Sequence, residues 1–308
     1  PFDLIQGNAL VPYGLAALLL ARRLGVPFLG FSRGGSQWYA RRTPLSRRAI
    51  GYVVSHADRI VAVSRAQADF LGGLATPRRP IEVIYNGCDT RRFRPTPRKG
   101  KIRRELGLPE RDPILLYAGR IVPEKGIGEL LAAVAALPPF LTLVLGGPLS
   151  DRRLIDRLPA RYPMLAGRVH HFPPAPQGEV ARWMQAADIF VHPSHFEGVP
   201  NSVVEAMACG LAVVASDVGG TAEVVTHEAT GLLVPPKAPA ALAQAIERLL
   251  RDAALRERLG KNARAAILAS RSWAENAQAL VRTFHALLSP QPGEEEPERI
   301  PPQGKELA

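Results

Sequence analysis

Two carboxylates bracket a turn in the segment HFEGVPNSVVEAMACG: Glu197 and Glu205, with seven residues between them. Carboxylates at such a site accept hydrogen bonds from sugar or ribose hydroxyls, or act as an acid and base on a glycosidic bond. The turn between them, Gly198, Val199, Pro200 and Asn201, leads from a strand into a helix. Backbone N–H groups at a helix N-terminus bind anions or hydroxyl oxygens. Ser202 and Glu205 also fit the Ser-x-x-Glu spacing of a capping box, which gives Glu205 a purely structural alternative. Glu197 has no such alternative. If buried there, its charge needs a partner, because an uncompensated carboxylate costs several kcal/mol.

Cations occur upstream in LLYAGRIVPEKG, where Gly119 and Arg120 end a strand and Lys125 precedes a helix. Gly119 permits close approach of a ligand. Arg120 offers a planar fork suited to phosphate oxygens, and Lys125 a point charge. The alternative is two solvated surface cations. A ligand with hydroxyls at one end and phosphates at the other would use both sets of residues.

These residues need a scaffold that presents strand ends. Short apolar runs alternate with helical patterns along the chain. FDLIQ, PFLGFS, RIVAVS and IEVIYN read as four strands. PILLYAG, LTLVLGG, RVHHF, DIFVHPS, LAVVAS and GLLVP read as six more after a Pro- and Arg-rich stretch. Such alternation predicts two α/β domains, each a Rossmann-like doubly wound parallel sheet with helices on both faces. The expected boundaries are residues 1–93 for the first domain, 94–288 for the second and 289–308 for a disordered Pro- and Glu-rich tail. Ser272 and Glu275 have capping-box spacing at the start of the final helix.

The 39 Lys and Arg against 28 Asp and Glu give a net charge of +11, which favours anionic partners. Aromatic residues make up 6% and no nucleic-acid-binding module is visible, so nucleic acid is not the expected partner. The arginines around 41–48 and 91–104 would suit a solvated face or an anionic membrane surface. Cys88 and Cys209 are too few and too distant in sequence to define a disulfide framework or a zinc site. His170 and His171 are adjacent in a strand, so they point to opposite faces and make a poor metal pair. His192 and His195 lie near the Glu197 turn. The run GLAALLLA is too short to span a bilayer and no signal-peptide pattern is present.

FEGVPNSVVEAMACG, with AGRIVPEKG before it and SDVGG after it, resembles the retaining glycosyltransferases of family 4, which have the two-domain GT-B architecture. IYNGCDTRRFRP resembles that family's interdomain segment and AADIFVHPS its approach to the sugar site. The resemblance implies transfer of a sugar from a nucleotide-sugar donor, such as a UDP- or GDP-sugar, to a glycan or lipid-linked acceptor with retention of configuration. It implies no metal and no other cofactor, and fits cell-surface polysaccharide or glycolipid synthesis. Arg120 and Lys125 would hold the donor diphosphate; Glu197, with the turn amides, the sugar hydroxyls; Glu205 the ribose; and backbone near HHFPP the base. Catalysis would fall to Glu197, Arg120 and Lys125, and donor binding to these with Gly119, Gly198, Val199, Pro200, Asn201 and Glu205. The expected location is the cytoplasm, with peripheral contact at the inner face of the plasma membrane.

The chain departs from the family on the acceptor side. Measured against the family, it starts after the N-terminal segment that carries the glycine-rich loop, so the first domain is expected to be incomplete, with an open sheet edge. Gln6 and Asn8 stand where histidines are common, and Arg33 lies in SRGGS where His-Gly-Ser is common. A donor-binding but inactive homologue is therefore one alternative. A glycoside hydrolase is another, although it leaves Arg120 and Lys125 without an anion to hold.

Overall fold

The computed structural model describes residues 2–150 and 158–289. The expected disordered tail thus lies outside the described residues, save for Ser289. Contacts divide the chain into two compact units.

The first unit holds a four-stranded sheet in the order β1-β2-β3-β4, with β1 Ile5–Gly7, β2 Phe28–Ser32, β3 Arg59–Ala62 and β4 Glu82–Val83. Every pairing is parallel. The strands run through the apolar segments read from sequence, and all five residues of β2 are buried, as expected of a strand covered on both faces. Helices Leu15–Leu24, Pro44–His56 and Arg65–Gly72 occupy the connections. Thr43 caps the second of these by accepting from the Ser46 amide, with Pro44 in its first turn. Ser64 caps the third in the same way through Gln67. A further helix, Gly35–Arg42, precedes the second of these. It starts at two glycines, Gly34 at φ 93° and Gly35, which a propensity reading takes for a break.

The second unit holds six parallel strands in the order β10-β9-β8-β5-β6-β7. They are β5 Ile114–Ala118, β6 Thr142–Gly146, β7 Val169–Phe172, β8 Ile189–His192, β9 Ala212–Ser216 and β10 Leu232–Val234. The chain runs outward from β5 through β6 to β7, then returns to the other side of β5 to form β8. Strand order reverses between β5 and β8, and ligands bind open α/β sheets outside the carboxyl ends of strands at such a point. A core of Leu, Ile and Val from β5, β6, β8 and β9 joins helices Ile127–Ala135 and Pro239–Arg251. Arg103, on the helix Lys99–Glu105, reaches Asp188 at 2.6 Å, and Asp188 also accepts from the Ile114 amide at 2.7 Å. That helix starts at the end of the Pro- and Arg-rich stretch, within the expected second domain.

The C-terminal helix Trp273–Leu288 corrects the expected boundaries. Sequence continuity placed residues 94–288 in one domain. Packing assigns Gly87–Trp273 to the second unit and returns the helix, from Ala274 on, to the first. Ala279, Leu280, Phe284 and Leu287 pack against Leu29, Phe31, Val61 and Ile84. The Asn276 amide donates to the Tyr85 carbonyl at 2.7 Å, and Thr283 donates to Glu82 at 2.7 Å. The apolar stripe of this helix is complementary to the first sheet, and burial rather than chain order decides its place.

Candidate active site

The site forms where β5 and β8 end. β5 terminates in Gly119 and Arg120, fixed by backbone bonds from Gly119 to the Gly146 carbonyl (2.9 Å) and from Ile121 to the Pro148 carbonyl (2.8 Å). The buried Tyr117 hydroxyl donates to the Arg120 carbonyl at 2.7 Å. The Arg120 main chain is thus anchored while its side chain is exposed, with no carboxylate partner among the described residues.

Two loops then lock together. Gly126 has φ 71°, and a Cβ there would sit 1.9 Å from the Pro193 carbonyl oxygen. Only glycine allows the Lys125 turn to approach the loop after β8 so closely. His195 donates its amide to the Glu124 carbonyl at 3.0 Å and its Nε2 to Glu129 at 3.0 Å. On the other side Gly219, from SDVGG, has φ 50°, and a Cβ there would meet the Glu197 carbonyl oxygen at 2.0 Å. The loop from Pro193 to Glu197 is therefore held between two glycine contacts that a larger residue would break.

Its carboxylate is partnered. Lys125 Nζ lies 2.5 Å and His192 Nε2 2.7 Å from the same oxygen, Glu197 Oε1. His192 is buried at the end of β8, flanked by the Tyr117 and Phe190 rings at 6.0 and 6.3 Å, with its Nδ1 unpartnered. Burial pushes the Glu197 pKa up, but the His192 hydrogen bond and the Lys125 charge outweigh it and hold it at about 2. Glu197 is ionised throughout the physiological range.

Glu205 differs. The helix spans Asn201–Ala208 with Pro200 at the N-cap and no side-chain cap bond, so Ser202 and Glu205 lie inside the helix and do not form the capping box that their spacing allows. Glu205 has no hydrogen-bonding side-chain partner among the described residues, and burial raises its pKa to about 7.

A cavity of about 410 Å³ gathers these groups. Gly119, Arg120, Lys125, Glu197, Val199, Pro200, Asn201 and Glu205 all line it, and Gly198 is buried in the same turn. Among the described residues, the amides of Gly198 and Val199 have no hydrogen-bond partner. Pro174 and Ala175, after the HHF strand, complete the wall with Trp183. Sequence reasoning gave His192 no assigned role and did not single out Tyr117 or Trp183. The placement of His192 at the last position of an apolar strand was the available signal. His195 and His171 serve loop geometry instead, His171 donating to the Gly147 carbonyl at 3.0 Å.

Comparison with known proteins agrees with this architecture. Residues 98–266 match the family model for glycosyl transferases group 1, and residues 1–92 match that for glycosyltransferase family 4. The D-inositol 3-phosphate glycosyltransferase of Frankia alni is 34% identical over 94% of this chain and 75% of its own length. That of Actinosynnema mirum is 39% identical over 70% of this chain and 55% of its length. The chain spans only about half to three-fifths of several such relatives. Among solved structures, Anabaena HepE in complex with UDP-glucose superposes with a TM-score of 0.83 at 26% identity, covering 92% of this chain and 79% of that one. Sucrose-phosphate synthase from Thermosynechococcus elongatus gives 0.81 at 29% identity, covering 93% and 74%. With two parallel α/β units and a cavity at the β5/β8 strand ends, the chain belongs to the glycosyl transferases group 1 family, of GT-B architecture.

Proposed function

We propose that the chain transfers a sugar from a nucleotide-sugar donor to a glycan or lipid-linked acceptor, with retention of anomeric configuration. The observation that carries this reading is the convergence of Arg120, Lys125, Glu197 and Glu205 on one cavity at the switch point of the second sheet. Arg120, exposed and without a carboxylate partner, meets the donor diphosphate. Lys125 is shared: it holds Glu197 ionised before donor binding and turns to the β-phosphate afterwards. Glu197 then accepts hydrogen bonds from the sugar hydroxyls, oriented by His192 and by contact of its backbone with Gly219. The free amides of Gly198 and Val199 add donors at the start of the helix. Glu205 accepts from the ribose hydroxyls once ionised. As the sugar–phosphate bond breaks, negative charge grows on the leaving diphosphate, and fixed cations in a partly desolvated cavity stabilise it more than the ground state. Attack comes from the face the diphosphate leaves, and that group takes the acceptor proton.

The HepE structure in complex with UDP-glucose supports a UDP-sugar as the first donor to test, and a GDP-sugar is the second. The names of the Frankia alni and Actinosynnema mirum relatives support a phosphorylated cyclitol among the acceptors to be tried. The divergent pKa values of Glu197 and Glu205 also match the acid and nucleophile of a glycoside hydrolase. Calorimetric titration with a panel of nucleoside diphosphates separates the two readings. The transferase binds one of them in the micromolar range; a hydrolase binds none. Transfer of radiolabelled sugar to a membrane extract then distinguishes an active enzyme from a donor-binding homologue.

A further inference from the structure

Between Asp3 and Asp58 the chain holds seven arginines and no Asp, Glu or Lys. Helices Leu15–Leu24, Gly35–Arg42 and Pro44–His56 carry six of them, and the third touches both of the others. Arg22 donates to the Tyr52 hydroxyl at 2.8 Å and lies 5.6 Å over its ring, which joins the first of these helices to the third. Leu19 and Arg23 lie three residues before and one after Arg22 on its helix. Leu45, Arg48 and Tyr52 follow one another at helical spacing along the other. One continuous face results, with arginines set among apolar side chains. Leu45 is 75% exposed and Leu19 51%. Arg23 and Arg48 have no carboxylate partner among the described residues. The next acid along the chain, Asp58, is turned to the Phe28 amide at 2.8 Å and Arg78 at 3.3 Å.

This mixture fits one environment well. Nucleic acid would occupy the arginines but leave the leucines in water. At a bilayer surface the guanidinium groups meet lipid phosphates while leucine and tyrosine enter the acyl boundary. No helix among the described residues is long and apolar enough to cross a membrane, so the contact would be peripheral. We propose that this face of the first unit docks on a bilayer carrying anionic phospholipid. It deepens the proposed function by placing the acceptor among lipid-linked molecules.

Flotation with phosphatidylcholine vesicles, with and without phosphatidylglycerol, tests the proposal. The chain should float with the anionic vesicles only, and less so as salt rises. Arg23→Ser with Arg48→Ser should lower partition roughly twenty-five-fold, at about fivefold for each arginine. Leu45→Ser alone, on a mostly exposed side chain, should lower it without change in thermal melting. Arg94→Ser with Arg98→Ser, at exposed positions of the second unit, should leave it unchanged. The proposal is overturned by equal partition to neutral vesicles, by equal loss in the Arg94 and Arg98 variant, or by transfer of the effect to RNA in place of vesicles. Nucleoside diphosphate titration of the same variants should match wild type. Loss of vesicle binding with nucleotide binding intact, or the reverse, therefore shows which of the two readings fails.

Discussion

Glu197 and Glu205 are the same residue type on one cavity wall, yet their environments are opposite. Glu197, in the loop after β8, has two cationic or donor partners on one oxygen and is held ionised at about 2. Glu205, in the second turn of the next helix, is partly buried with no hydrogen-bonding side-chain partner among the described residues, and its pKa is raised to about 7. Burial alone raises a carboxyl pKa; what reverses the shift is whether the surrounding loops supply a counter-charge. Here the loop holding Lys125 is drawn against the Glu197 loop by the contact of Gly126 with Pro193, and among the described residues no side chain makes a comparable bond to Glu205. One site is complete before ligand arrives. The other is completed by the ligand.

The largest expected effect breaks the first half of this contrast. Glu197→Ala should abolish transfer, a fall of about 100-fold or more, while nucleoside diphosphate affinity stays within a few-fold. If transfer survives, the sugar-site role of Glu197 is wrong. Removing the cations is next. Arg120→Ala or Lys125→Ala should weaken nucleoside diphosphate binding by about 1.5–3 kcal/mol, the range for hydrogen bonds to charged groups. Calorimetry measures both, and an unchanged Arg120 variant would place the diphosphate elsewhere.

The second half is tested by pH. A folded-state pKa of about 7 against an ordinary 4.5 means that the stabilisation from protonated Glu205 is present below about pH 4.5 and lost as pH rises to about 7. Glu205→Gln should therefore be more stable than wild type at pH 8, by up to about 3 kcal/mol, in denaturant titrations without ligand. Nucleotide affinity of the wild type should rise through pH 7 as Glu205 ionises, and that of the variant should stay flat. Glu197 has the opposite sign: its contribution is present above about pH 4.5 and lost as pH falls towards 2, so Glu197→Gln should lose that acid-sensitive component. The smallest effect is a null one. Addition of a chelator should leave transfer unchanged, and a marked fall would show that a metal supplies charge beyond Arg120 and Lys125.

Much of the fold was legible because parallel strands buried on both faces are continuous apolar runs: nine of the runs read from sequence contain β2 to β10, and FDLIQ overlaps β1. The helix Gly35–Arg42 escaped because Gly34 and Gly35 resemble a loop, although Gly34 in the left-handed region forms the turn that starts the helix. The Ser202–Glu205 spacing misled in the other direction. A capping box requires Ser at the N-cap, and here Pro200 takes that position, two residues early. The C-terminal helix shows a different limit: its start was evident, but the sheet that would bury its apolar stripe was not.

The sequence by itself determined the strand–helix alternation, the carboxylates and cations available at strand ends, and the absence of acid between Asp3 and Asp58. These follow from residue type and local spacing, which act over a few positions. Tertiary structure alone decided that Lys125 and His192 meet on one oxygen of Glu197, that Glu205 has no side-chain partner among the described residues, and that the last helix returns to the first unit. Each of these depends on groups far apart in the chain, and only the close approach of folded loops and sheets brings their charges and apolar faces within range.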